Sequence, residues 1–157
     1  MGVPVTILHT PAEMIRKYLL GTAVVVEPSP ITNPVHPNWT VYAFKMRADK
    51  TSPNGVFVVN TTAVKDMRAM SDGLVTYHEG VQIMTRSLDQ KAGWLKSRMI
   101  EKWLCENLNN TDVTLDGTIY RLHAFTVTSP TTFISEEEKQ ERQLHTVNGI
   151  LALTANP

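Results

Sequence analysis

The side chains best equipped for chemistry in this chain are five histidines, a single cysteine and a run of three glutamates. His9, His36, His78, His123 and His145 stand singly. His78 and Glu79 are neighbours in a predicted strand, so their side chains point to opposite faces and form no pair there. His123 and His145 lie in the last predicted strands and would share a metal or a proton only if those strands bring them together; partly exposed sheet histidines are the plainer reading. Cys105 falls in the C-terminal half of a predicted helix, where the helix dipole raises a thiol pKa, so it reads as a packed or inert residue. As the lone cysteine it makes no internal disulfide and no cysteine zinc cage. Glu136-Glu137-Glu138 lacks the alternating ligands and the glycine of a calcium loop and reads as a solvated loop or helix start. The phosphate-binding, dinucleotide-binding, nucleophile-elbow and zincin motifs have no match. The expectation is a protein without a self-sufficient active site, not an enzyme, with no cofactor.

Bulk properties agree with that reading. The chain has 157 residues, the size of one domain over 1–157. That length buries roughly 68–70% of its unfolded surface without staples. Hydrophobic content of 42% and charged content of 19% are those of a globular protein. Lys+Arg and Asp+Glu each total 15, so the net charge is zero. The basic excess that carries phosphate affinity is missing, which argues against sequence-specific nucleic-acid binding. Neutrality also removes long-range repulsion between copies and so permits self-association. No basic segment followed by a long apolar run opens the chain, and no stretch reaches ~18 apolar residues, so neither a secretory signal nor a membrane helix is expected. Asn-x-Thr triplets at Asn38, Asn60 and Asn109 are then chance matches, and the compartment is a cytosol or a particle assembled in one.

The elements that must hold these residues are legible from caps and periodicity. Thr10-Pro11-Ala12-Glu13 predicts a capped helix start, with Met14, Ile15, Tyr18 and Leu19 at helical spacing and a stop at Gly21. Ala23 to Val26 reads as a strand, and the prolines between Pro28 and Pro37 as a loop. Trp39 to Met46 is a strand with apolar residues on both faces, hence central or facing a partner. A turn-rich loop over Ala48 to Gly55 leads to a strand at Val56 to Val59. Asn60 to Gly73 reads as a long loop with room for one helical turn, and Leu74 to Thr85 returns to strand. Ser87 to Asn107 is the best helix, capped by Ser87 or Asp89, with Ala92, Leu95, Met99, Ile100, Trp103, Leu104 and Leu108 as its apolar face. Asp116-Gly117 predicts a tight hairpin between Asp112–Leu115 and Thr118–Phe125. Ser135 and Glu138 suit the cap of a short helix, and Leu144 to Leu153 is a final strand with a bulge at Gly149.

Hairpin spacing outweighs βαβ spacing, so the expected class is α+β: a mostly antiparallel or mixed sheet with one long helix and one short N-terminal helix on one face. Trp94, Met99 and Trp103 at helical spacing are ordinarily core. Together with Trp39, Tyr42, Phe44 and Met46 they exceed what a domain of this size needs to bury, and surplus large apolar surface marks partner contacts.

The order of segments resembles the small minor-capsid and tail-terminator proteins of tailed bacteriophages over nearly the whole chain. Carrying the resemblance are the Thr10-Pro11-Ala12-Glu13 helix ending in Leu19-Leu20-Gly21, the strand Trp39-Thr40-Val41-Tyr42 and the strand from Val56 to Asn60. The loop Asp66-Met67-Arg68-Ala69-Met70-Ser71-Asp72-Gly73, the run Val81 to Ser87, the hairpin with Tyr120 and the late segment from Glu141 to Asn148 complete it. The resemblance implies a subunit of a ring, a hexamer, that caps the tail tube, stops its polymerisation and forms the surface joined by the head connector or neck proteins. It implies a virion component in the tail or neck, assembled in a bacterial host's cytoplasm, with no catalysis, cofactor, metal or membrane. Arg68, Met70 and Asp72 in the loop and Arg86 at a following turn are the segments nominated for contacts with neighbouring subunits or the tube; local salt bridges or plain solvation are the alternative. Competing roles are a head-completion or neck adaptor, a tail-tube protein, or, in another class, a small metal- or ligand-binding enzyme using His123, His145 and Glu138.

Overall fold

Thr10 opens the first helix, α1 (Pro11–Leu20), through a complete capping box. Its hydroxyl accepts the Glu13 N–H at 3.3 Å, and the Glu13 carboxylate takes the Thr10 N–H at 2.7 Å. Gly21 ends the helix with φ −74°, a right-handed value, so the stop does not exploit glycine's left-handed freedom. Its N–H donates to the Tyr18 carbonyl at 3.1 Å. The computed structural model describes residues 7–22, 25–26, 39–44, 54–62, 68–69, 75–137 and 142–156. Met46, the proline-rich segment, most of the 48–55 loop, Met70, Asp72 and Glu138 lie outside the described residues.

Strands follow as β1 (Val25–Val26), β2 (Trp39–Ala43), β3 (Gly55–Thr61), β4 (Arg68–Ala69) and β5 (Val75–Ser87). The long helix α2 (Gln90–Asn107) precedes β6 (Thr111–Leu115), β7 (Thr118–Glu137) and β8 (Arg142–Asn156). The sheet runs β1-β2-β3-β5-β8-β7-β6, with β4 beside β5. β1, β2 and β3 pair in parallel and the remainder antiparallel, so the sheet is mixed. Rows such as Val58–Ile83–Val147 cross three strands in register and turn one face to the helices. There Ile15 and Leu19 of α1, Ile100 and Leu104 of α2 and Leu151 and Leu153 of β8 join one buried cluster.

Four expectations need correction. Asn60 and Thr61 belong to β3 and Arg68–Ala69 to β4, so the Asn60–Gly73 segment is in part strand. The helix begins at Gln90; Asp89 caps it, accepting from Lys91 and Ala92 N–H at 3.1 and 3.3 Å, while Ser87 still belongs to β5. Ser135 starts no helix, because β7 continues through it to Glu137. Bulges do occur opposite β8, but the extra residues at each register shift, His123, Thr128, Pro130 with Thr131, and Ile134, are all on β7. Bulging frees β7 from pairing one residue at a time, which accommodates Pro130 in a strand otherwise closed to proline.

Gly149 serves packing instead of a bulge. The Phe125 ring lies across it, and a Cβ there would run into that ring. The hairpin turn is as expected: Asp116 and Gly117 take φ of 46° and 82°, the two positive values a two-residue turn of this hand requires. The hairpin is tied to the start of α1. Leu8 N–H donates to the buried Tyr120 hydroxyl at 3.2 Å, that hydroxyl meets His9 Nδ1 at 2.8 Å, and His9 Nε2 meets Asp116 at 3.1 Å.

Gly149→Ala is expected to destabilise the protein by about 1–3 kcal/mol in urea unfolding, the range for forcing an extra methyl into a filled core. In a Phe125→Ala background the same change should lose most of that effect; an undiminished effect there would show that something other than ring packing excludes the methyl.

Candidate interaction surface

The inward face of α2 is made of small residues at its N-terminal end. Gly93 and Ser97 are buried, followed one and two turns on by Ile100 and Leu104. Gly93 suits the close approach of β8: a Cβ there would sit a tight 3.0 Å from His145 Nδ1. This seats the helix close to the sheet and rotates its larger residues outward. Leu95 and Met99, expected in the core, are instead 49% and 51% exposed, and Trp94 is 46% exposed. Trp103 stays partly buried against the core, and Trp39 is buried beneath Lys96, whose ammonium lies 5.9 Å from the ring centroid. Burial holds the Lys96 pKa below that of an ordinary lysine.

Two polar devices fix this outward strip. The Arg98 guanidinium stands 5.9 Å from the Trp94 ring centroid and donates to Glu101 at 2.8 Å. Glu101 in turn accepts from the Thr131 N–H at 3.0 Å and from its hydroxyl at 2.7 Å, satisfying an amide that the β7 bulge takes out of the ladder. Burial opposes the Glu101 charge, yet the Thr131 hydrogen bonds and Arg98 outweigh it and hold the carboxyl below its usual range. On β7, Phe133 and Ile134 are also exposed, and Phe133 packs edge-on against His145 with centroids 5.5 Å apart. His145 touches Gly93, so the exposed end of β7 adjoins the N-terminal half of α2. Phe44 adds an exposed aromatic at the end of β2, with φ 67° and its N–H held by the Val58 carbonyl at 2.8 Å. A bulky residue in that conformation is strained, and such strain is retained where a side chain must be presented in one direction.

The residues proposed for chemistry are not brought together. β7 and β8 do pair, but His123 bulges out between Leu122 and Ala124, opposite Leu153 and Ala152, whereas His145 sits opposite Phe133 at the other end of β8. His123 instead meets Asn110 at 2.7 Å and Thr154 at 3.0 Å. His145 is buried with no partner for Nδ1. Burial pushes both histidines below the ordinary imidazole range, for His123 with help from Arg121. Burial raises the Cys105 thiol pKa, as do Glu101 and Glu106, which leaves it a poor nucleophile. Among the described residues no group of three or more His, Cys, Asp or Glu side chains is placed to hold a metal ion.

Of the residues nominated for subunit contacts, Arg68 is in β4, its backbone opposite Thr76. Met70 and Asp72 lie outside the described residues. Arg86, expected at a turn, is inside β5 between Gly55 and Leu144 and is only 6% exposed. The strip on α2 was half-visible in the sequence: the surplus of large apolar residues was legible, but which of them faced outward was set by Gly93.

No family model matches the chain, and no curated protein matches it. Several chains of solved structures are similar. One of them is a chain of the "Virion of native gene transfer agent (GTA) particle", with 13% identity, a TM-score of 0.39, and coverage of 90% of this chain and 84% of that one. No helix among the described residues is long and apolar enough to cross a membrane.

Acid sensitivity follows from the buried groups. His145 and His123 resist protonation in the fold but accept it near pH 6.5 once unfolded, so stability is full above about 6.5 and falls as pH drops below it. Glu101 adds a second loss at lower pH, below the ordinary glutamate value of about 4.3, as its depressed pKa is approached. His145→Phe should flatten the first decline in thermal melts taken between pH 7.5 and 5.5; an unchanged decline would place its origin elsewhere. Glu101→Ala should cost about 1–3 kcal/mol by orphaning the Thr131 amide.

Proposed function

We propose that this chain is a structural, non-catalytic virion subunit that closes into a ring, caps the end of a phage tail tube, halts its growth and presents the surface joined by head connector or neck proteins. The observation that carries the reading is the outward strip of Trp94, Leu95 and Met99 on a helix whose opposite side is already committed to the core. A side chain of this kind gains roughly 1.5–3 kcal/mol on full burial, so half-exposed ones retain about 1 kcal/mol each. Three of them fall short of the ~4–15 kcal/mol that association costs in lost freedom. A single pairwise contact through this strip would therefore be weak. In a closed ring each subunit makes two contacts through different patches, and the tube end adds a third, so the strip's share is supplemented in the assembled state.

The ordered segments that resemble tail-terminator proteins support the same assignment, as does a formal net charge of zero, which leaves no long-range repulsion between copies. The segment holding Arg68, Met70 and Asp72 is proposed to set register at these contacts through its mixed charge. A ring closed on itself exposes no further copy of the tube's growing end, so elongation stops by occupation of that end, with no chemistry required. The copy number is proposed to be six.

Negative-stain microscopy should show rings of the purified protein at high concentration or on the ends of tails made without their terminator, and capped tails should stop at uniform length. Met99→Glu with Leu95→Glu should leave the monomer folded, abolish rings and release tail length. A protein that stays monomeric at high concentration and leaves such tails uncapped would refute the assignment.

A further inference from the structure

On the sheet face turned away from the helices, Arg142 has buried donors that no described residue satisfies. Alternation along β8 places Arg142, Leu144 and Thr146 together on that face, and Leu144 stands opposite Arg86 of β5. Arg142 is only 6% exposed, and its Nε and Nη1 are buried without a hydrogen-bond partner. Thr146, further along the same face, is 7% exposed with its hydroxyl likewise unpartnered. Arg86, also 6% exposed, occupies the neighbouring strand one diagonal step from Arg142 and is engaged by a partner of its own.

A buried lysine or histidine in this position would shed its proton. A guanidinium does not, because it holds its proton far more tightly than either. The penalty for an ion buried without a counter-charge is several kcal/mol. Its planar fork of N–H donors matches one ligand geometry best, the paired oxygens of a carboxylate or phosphate. We infer that Arg142, flanked by Arg86, forms a receptor for an oxyanion supplied from outside the chain: an acidic side chain of a second copy or a free phosphate. The site stands on the chain's own residues whether or not the protein forms a ring. It also differs from the α2 strip, being on the other face of the sheet.

The test uses the full chain, Arg142→Met, Arg142→Lys and Glu137→Gln, because Glu137 is the residue directly across the ladder from Arg142. Thermal melts of dilute protein are run in sodium phosphate and in sodium chloride of equal ionic strength, and sedimentation is followed as concentration rises. If phosphate is the source, it raises the wild-type midpoint above that in chloride, and Arg142→Met loses the gain while Arg142→Lys keeps part of it. If a second copy is the source, wild-type association is weakened roughly tenfold or more in Arg142→Met, as when one partner of a buried charge pair is removed. Arg142→Met should remain folded in chloride, since removing an unpaired buried charge is neutral or stabilising. The inference is overturned if Arg142→Met changes neither phosphate response nor association. It is equally overturned if Glu137→Gln lowers the stability of the dilute chain in chloride, which would mean that the charge is balanced internally. Rings that form normally from Arg142→Met would sink this site at subunit contacts while leaving the proposed ring intact.

Discussion

The close seating of α2 on β8 governs the rest of the molecule. β8 is hydrogen-bonded on both edges, to β5 on one side and β7 on the other, so its side chains have only the two faces of the sheet to occupy. On the helix side its row includes His145 and Gly149, and both meet tight neighbours: His145 presses on Gly93, and Gly149 lies under the Phe125 ring. The first of these contacts bears on the rotation of the helix about its axis. Once Gly93 and Ser97 face inward, the geometry of a 3.6-residue turn carries Trp94, Leu95 and Met99 outward, whatever their own preference for burial.

This constraint accounts for the polar features as well. Bulges on β7 let one strand curve along β8 with more residues than its partner, and each bulge removes an amide from the ladder. At Thr131 that amide is taken up by Glu101 of α2, so the helix is pinned to β7 by a charge-assisted bond as well as by packing. The same carboxylate orders Arg98, which stands beside Trp94. Trp94 in the outward strip is therefore flanked by a guanidinium that the fold itself orders.

Where a signal is local, it was legible in the residues. The Thr10–Glu13 capping box and the Asp116-Gly117 turn needed no knowledge of the rest of the chain, and both occur as expected. The mixed sheet with helices on one face followed from hairpin spacing. Signals set by distant neighbours were not legible. The polar run from Ser129 onward looks like a loop with a helix start, yet pairing with β8 keeps it extended to Glu137. Leu95 and Met99 fit a helical core pattern, but the demand that settles their direction comes from His145 more than forty positions away. The burial of Arg86 and Arg142 could not be read from a charged residue in a strand, because it depends on which face each register places them. The nomination of Met70 and Asp72 came from sequence order alone.

The proposed ring puts the outward strip of α2 at its contacts. Hydroxyl-radical footprinting of the free and the tail-bound protein reads that directly, since Trp94 and Met99 are both reactive and half-exposed in the isolated chain. Strong protection of Trp94 and Met99 on binding, with the exposed Ile119 at the far end of β7 unchanged, is the predicted result. Equal oxidation of Trp94 and Met99 in the free and bound states would contradict it.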